Sequence, residues 1–187
     1  MFFAALVVLF FARQAGMHMD PRSHEMIGDW HPINLPPIVY LNTAILILSS
    51  LTMEIGRRNI FKEIDVLEEW LGLGRPAVRR TLPWLAATFT LGTLFVIGQF
   101  IAWKQLTAQG FAFDSWSTPA SYFFYIVTGL HAGHLVLGVL ALLLCLTALG
   151  FFKRVESRQI AVDVTSWYWH TLGAAWILLF AVLVLGQ

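Results

Sequence analysis

Four stretches of this chain, each about 20 residues or longer, are nearly bare of ionisable side chains, and this dictates the solvent in which the chain folds. A hydrocarbon core offers no water to backbone N–H and C=O groups, so a segment that enters it must satisfy them internally. An α-helix does so. The runs at about 35–53, 82–104, 120–152 and 164–186 are long and apolar enough to span. The run at 120–152 exceeds the hydrocarbon thickness and must tilt or project beyond it. Composition agrees: 58% of residues are apolar and 12% charged, about half the charge of a soluble domain. The reading is all-α: one polytopic transmembrane helix bundle of five helices in a single domain, 1–187. A net charge of +1 gives no electrostatic footprint for a nucleic-acid partner.

The fifth helix is the N-terminal run at about 1–13, apolar until Arg13. A dozen residues make only about 18 Å of helix, short of a bilayer. No basic region precedes the run and no cleavage site comes after it, so a transmembrane helix lacking its first half fits better than a signal peptide. About ten further apolar residues are expected upstream. Lys and Arg set the orientation. Nine of them (Arg57, Arg58, Lys62, Arg75, Arg79, Arg80, Lys153, Arg154 and Arg158) lie on one side, against Arg13, Arg22 and Lys104 on the other. The nine-residue side is expected in the cytoplasm of a bacterial-type inner membrane, with the C-terminus outside. The outer loop before Asn34 carries His18, His24, Trp30 and His31, and Trp30 and Trp116 suit an aromatic belt. Between the second and third helices, Ile60, Phe61, Ile64, Leu67 and Leu71 share one helical face. Lys62, Glu63, Asp65, Glu68 and Glu69 fall mostly elsewhere. That pattern fits a short helix at the cytoplasmic interface or on a partner subunit.

Ionisable groups inside a membrane are functional candidates. His131 and His134 share a helix face three residues apart, and His170 begins the last run. Two readings compete. In one, His131 or His134 pairs with His170 to ligate a b-type haem. In the other, the histidines hydrogen-bond between helices that Gly129, Ala132, Gly133 and Gly138 allow to approach closely. Without a cysteine or carboxylate nearby, the three make a poor zinc or copper set. Asn42, Thr43, Ser49, Ser50, Thr52 and Gln99 supply further hydrogen bonds between helices. Glu54, beside Arg57 and Arg58, reads as an ion-paired residue at the helix end. Cys145, the single cysteine, reads as a small buried residue. The sequence has no phosphate loop, no nucleophile–base pair and no line of carboxylates across the bilayer. Nor does it have the internal repeat expected of a transporter.

Several segments together resemble the subunit III family of the haem-copper oxidases (cytochrome c oxidase subunit III). They are Leu41-Asn42-Thr43-Ala44-Ile45-Leu46 with Ser49-Ser50-Leu51-Thr52, and Leu91-Gly92-Thr93-Leu94-Phe95 with Gln99. Next come Thr128-Gly129-Leu130-His131-Ala132-Gly133-His134 with Gly138, then Tyr168-Trp169-His170 with Trp176. They occur in the family's order and cover nearly the whole chain. The resemblance is to the five-helix form. Met1-Phe2-Phe3-Ala4-Ala5-Leu6 resembles the stretch just after the family's Ser-Glu pair, so that buried glutamate is not in this sequence. Two departures remove charge: Ala102-Trp103 stand where many members have Glu-Tyr, and Gly173 where many have aspartate.

The resemblance implies a non-catalytic accessory subunit that packs directly on subunit I, with subunit II and other oxidase subunits nearby. It implies that haem and copper reside in the partner subunits, that this chain binds neither, and that structural phospholipid is held. It further implies support of proton uptake and stable turnover. Asn42, Thr43, Gln99, Gly129, His131, His134, Gly138, Trp169 and His170 then serve helix packing, and Lys153, Arg154 and Arg158 are candidates for lipid phosphates. The alternatives are the accessory subunit of a nitric oxide reductase system and the bis-histidine b-haem electron carrier.

Overall fold

The computed structural model describes residues 16, 18–19, 26–27, 35–72, 74–108, 119–152 and 154–185. The helix expected at 1–13 lies outside them, as do His24, Trp30, His31, Trp116 and Lys153. Five helices are described: α1 (Pro37–Ile60), α2 (Glu63–Trp70), α3 (Pro76–Ala108), α4 (Pro119–Phe151) and α5 (Val155–Leu185). Among the described residues the only strands are a two-residue antiparallel pair, His18–Met19 with Met26–Ile27.

Four of the helices, α1, α3, α4 and α5, are long and apolar enough to cross a membrane. Three of them extend past the apolar windows at the end rich in Lys and Arg. α1 continues through Arg57, Arg58 and Ile60. α3 starts at Pro76 rather than Leu82, and α5 at Val155 rather than Val164. Hydropathy sees only the part of a helix that sits in hydrocarbon, whereas the hydrogen-bond ladder continues into water. Prolines open α1, α3 and α4, where the missing N–H has no helical partner to lose.

The four spans close a ring. α1 packs most extensively on α3, α3 on α4, α4 on α5, and α5 returns to α1. Outward faces carry Leu48, Leu51, Leu94, Phe100, Leu137, Leu144 and Leu178, as lipid-facing positions do. Inside, one apolar cluster gathers Met53, Leu85, Leu142 and Val162, and a second gathers Leu46, Phe95, Leu135 and Trp176.

The short helix α2 was expected at the cytoplasmic interface or on a partner subunit, with its apolar residues on one face and its charges mostly elsewhere. The structure shows which side meets the bundle. Ile60 is not part of α2; it ends α1 and is buried. Asp65, 1% exposed, and Glu69 face the bundle. Arg80 Nη1 of α3 stands 3.1 Å from Asp65 Oδ1, and Arg158 of α5 bonds Glu69 Oε1. Arg75 approaches the same Glu69 oxygen at 3.9 Å. Two arginines from separate spans thus clamp α2 by its acidic side, and Leu67, Trp70 and Leu71 are left outside. Gly72, at φ 76°, ends the helix in the left-handed conformation that glycine adopts without strain.

Breaking one partner of a buried pair leaves an uncompensated charge, which costs about 3–5 kcal/mol. Arg158→Met is therefore expected to lower the thermal unfolding midpoint of the purified protein sharply. Adding Glu69→Gln should recover most of the loss. A double variant no more stable than the single one would show that the pair is not what holds α2.

Candidate functional site

The polar groups of the spans form layers, each built from several helices. The central layer is organised by Trp169 of α5, which is fully buried. Its indole enters a slot between α3 and α4 that exists because two positions lack side chains. A β-carbon on Gly92 would stand 2.5 Å from Trp169 Cη2, and one on Gly138 would stand 3.2 Å from Cζ3. Trp169 Nε1 donates to Ser49 Oγ of α1 at 3.1 Å, and Ser49 donates to the Leu46 carbonyl at 2.7 Å. Trp169 therefore touches all three other spans. Thr52 of α1 and Thr88 of α3 share a 2.8 Å hydrogen bond, and Thr88 also donates to the Trp84 carbonyl.

The second layer lies about two helical turns further along α5. Trp176 Nε1 donates to Thr43 Oγ1 at 3.0 Å. Phe95 meets the Trp176 ring edge-on, and His131 lies beside Trp176 with ring centroids 5.0 Å apart. The Asn42 amide occupies the space over Gly98, and its Nδ2 reaches toward the Phe95 carbonyl at 3.5 Å. Gln99 is bracketed on both sides by contacts between α3 and α4. One turn before it Phe95 meets His131, and one turn after it Trp103 Nε1 donates to Thr128 Oγ1 at 3.2 Å. Gln99 and His131, 1% and 6% exposed, sit in this layer. Neither the Gln99 amide nor His131 Nε2 has a hydrogen-bond partner among the described residues.

The third layer carries charge and lies toward the end rich in Lys and Arg. Glu54 Oε1 accepts from Arg58 Nε at 2.8 Å. Its Oε2 is 3.8 Å from Arg57 Nη1 and 3.7 Å from His170 Nε2. Arg57 Nε donates to Asp163 Oδ1 at 2.6 Å. Glu54 is the ion-paired residue that its neighbours suggested. The link to Asp163 was missed, because Asp163 precedes the apolar window and is 106 residues from Arg57. Glu54, Arg57, Ser166, Trp167 and His170 line a small cleft of about 170 Å³.

The structure brings Asn42, Thr43, Gln99 and His131 into one layer, and Ser49, Gly138 and Trp169 into another. It does not bring the three histidines together. His131 packs on Trp176, and His170 faces Glu54. His134 Nδ1 contacts the Leu130 carbonyl of its own helix at 2.8 Å on an exposed face. Among the described residues, a β-carbon on Gly129 or Gly133 would meet nothing within 4 Å. Arg158, expected at lipid phosphates, is 1% exposed and bound to Glu69. Arg154 is exposed. Among the described residues no three His, Cys, Asp or Glu side chains converge as a metal site. A separate apolar groove of about 600 Å³ runs between α4 and α5, lined by Leu144, Cys145, Phe151, Phe152, Ile160 and Val164 among others.

Four membrane-length helices closed around interhelical tryptophan, serine and threonine bonds define a multi-pass membrane helix bundle. The family model for cytochrome c oxidase subunit III matches residues 1–186. Cytochrome c oxidase subunit 3 of Corynebacterium diphtheriae is 31% identical over 188 residues, covering 95% of this chain and 82% of that protein. The probable cytochrome c oxidase subunit 3 of Mycobacterium bovis is 31% identical over 195 residues, covering 98% and 80%. That of Branchiostoma lanceolatum is 27% identical over 150 residues, covering 80% and 50%. The chain belongs to the cytochrome c oxidase subunit III family. It is accordingly a subunit of a haem-copper oxidase complex, working with other oxidase subunits in a respiratory chain.

Filling the Gly92 side of the slot must displace a large, buried ring, and overpacking of that kind costs about 1–3 kcal/mol. Gly92→Val is expected to lower the unfolding midpoint and to weaken the near-ultraviolet circular dichroism of the tryptophans. Ser49→Ala leaves Trp169 Nε1 without its acceptor and should cost about 1–3 kcal/mol in the same assay. Unchanged midpoints in both variants would remove Trp169 from the centre of the packing.

Proposed function

We propose that this chain is a non-catalytic, lipid-holding subunit that packs directly on the catalytic subunit I of a cytochrome c oxidase, beside subunit II. It sits in a bacterial-type inner membrane with its C-terminus outside and supports proton uptake and stable turnover. The observation that carries the reading is how the polar groups of the spans are used. Trp169, Trp176, Ser49, Thr43, Thr52 and Thr88 bond one another across helices, and the charged groups collect at one end. That arrangement joins helices; among the described residues no path of ionisable groups crosses the bundle. Haem and copper then belong to the partner subunits. His131, His170 and His134 stand apart, on Trp176, on Glu54 and on an exposed face.

The lipid part of the reading rests on the groove between α4 and α5. Its apolar lining suits an acyl chain, and exposed Arg154 stands at the turn that closes it. A basic residue near the surface contributes about 1 kcal/mol toward an anionic headgroup. Lys153 is assigned the same role. Arg158 is not, because Glu69 holds it.

Affinity purification of the tagged chain from its native membrane is expected to recover a large haem-copper subunit and cytochrome c oxidase activity. Recovery of the chain alone, or of a complex that reduces nitric oxide instead, would overturn the assignment. Native mass spectrometry of the purified complex is expected to show phospholipid retained with this subunit. Ala148→Trp, which fills the groove, should reduce the retained lipid with the complex intact, and unchanged lipid would rule this groove out.

A further inference from the structure

We propose that the outward face of α2 lies in the headgroup boundary of an anionic bilayer, held there by the two arginine clamps behind it. The polarity of this helix is inverted. In an ordinary surface helix the apolar face turns inward and the charges face water. In α2 Asp65 and Glu69 turn inward, and the exposed side carries Leu67 at 62%, Trp70 at 74% and Leu71 at 67% exposure. Phe61, just before the helix, is exposed as well. Left in water, this face would forfeit the burial that normally offsets the cost of ordering a short helix.

Position restricts what can cover it. Only Phe61 and Lys62 separate α2 from the end of α1, and residues 71–75 separate it from the start of α3. The last turn of α1 carries Arg57 and Arg58, which marks the edge of the hydrocarbon. The clamps from Arg80 and Arg158 then fix α2 across the ends of the spans. It cannot swing away, so its outward face stays at the depth where membrane boundaries lie. Tryptophan is the residue that favours this depth, with an apolar ring and a polar N–H.

Charge selects the lipid. Lys62 and Arg79 are exposed, and neither forms an ion pair among the described residues. Arg58, Arg75 and Arg80 also remain exposed, at 75%, 45% and 57% of their side chains. On the opposite sign, Asp65 and Glu69 are turned inward and neutralised by the clamps, and Glu68 is half-buried. Among the described side chains, the flank of α2 therefore presents an apolar helix edged with cations, the combination that binds an anionic membrane surface. The clamps give the acids a specific purpose: they remove negative charge that would otherwise repel the headgroups.

The test uses the oxidase complex carrying this chain, reconstituted into vesicles. A nitroxide is attached at Trp70→Cys in a Cys145→Ser background, with Leu67→Cys as a second site if the first variant does not assemble. Collision rates are read with oxygen, which partitions into lipid, and with a water-soluble nickel chelate. The expected result is oxygen access exceeding nickel access, with the balance shifting further toward oxygen when phosphatidylglycerol is added to phosphatidylcholine vesicles. Lys62→Glu with Arg79→Glu should abolish that shift. Nickel access as high as at a water-exposed loop would overturn the proposal. Shielding from both reagents would also overturn it, because another protein would then cover the face. Without a label, quenching of tryptophan fluorescence by lipids brominated near the headgroup should be smaller in Trp70→Phe than in the parent. Equal quenching in the two would count against the proposal.

Discussion

The bundle depends on one indole. Trp169 reaches from the last helix into a slot that Gly92 and Gly138 leave open, and its N–H ends on Ser49. Lipid is as apolar as leucine, so burial alone gives these helices little reason to associate. Shape and hydrogen bonding must supply it. A large flat ring against two bare backbones gains contact on both faces, and the bond to Ser49 fixes its rotation. Because one residue reaches α1, α3 and α4 at once, the four-helix ring has a defined closure rather than a set of separate pairings.

The charged residues obey a different logic. Glu54, Arg57, Arg58, Asp163 and His170 gather near one end of the spans, where each partner reduces the cost of burying the other. Below them, Asp65 and Glu69 are buried against Arg80 and Arg158. The central and second layers are built from tryptophan, serine, threonine, asparagine, glutamine and one histidine, with no Asp, Glu, Lys or Arg among the described residues named in them. The bundle is thus stitched by neutral hydrogen bonds where the surroundings are driest and by ion pairs where water and headgroups begin.

The spans were legible because length and apolarity are local properties, and the family motifs placed Trp169, Ser49, Thr43 and Gly138 on helices that meet. The helix ends were not legible, since residues such as Arg57 and Arg158 stay helical beyond the hydrocarbon. Which way α2 faces was not legible either. Its pattern showed an amphipathic helix, but the side that turns inward is decided by Arg80 and Arg158, which lie 15 and 89 residues away from their acidic partners in the sequence. The same limit applies to the histidines: His131 and His170 share a residue type but sit in different layers.

The two tryptophans that complete the layers, Trp169 and Trp176, both come from α5. A ribosome delivers that helix after the other three described spans. Until it arrives, the Gly92–Gly138 slot stands open and Ser49 and Thr43 have no indole to accept. The earlier spans can enter the membrane one at a time, but their mutual geometry is settled only when α5 inserts. Synthesis and completion of the bundle are therefore coupled, and a chain interrupted before α5 leaves behind helices without the residue that locks them.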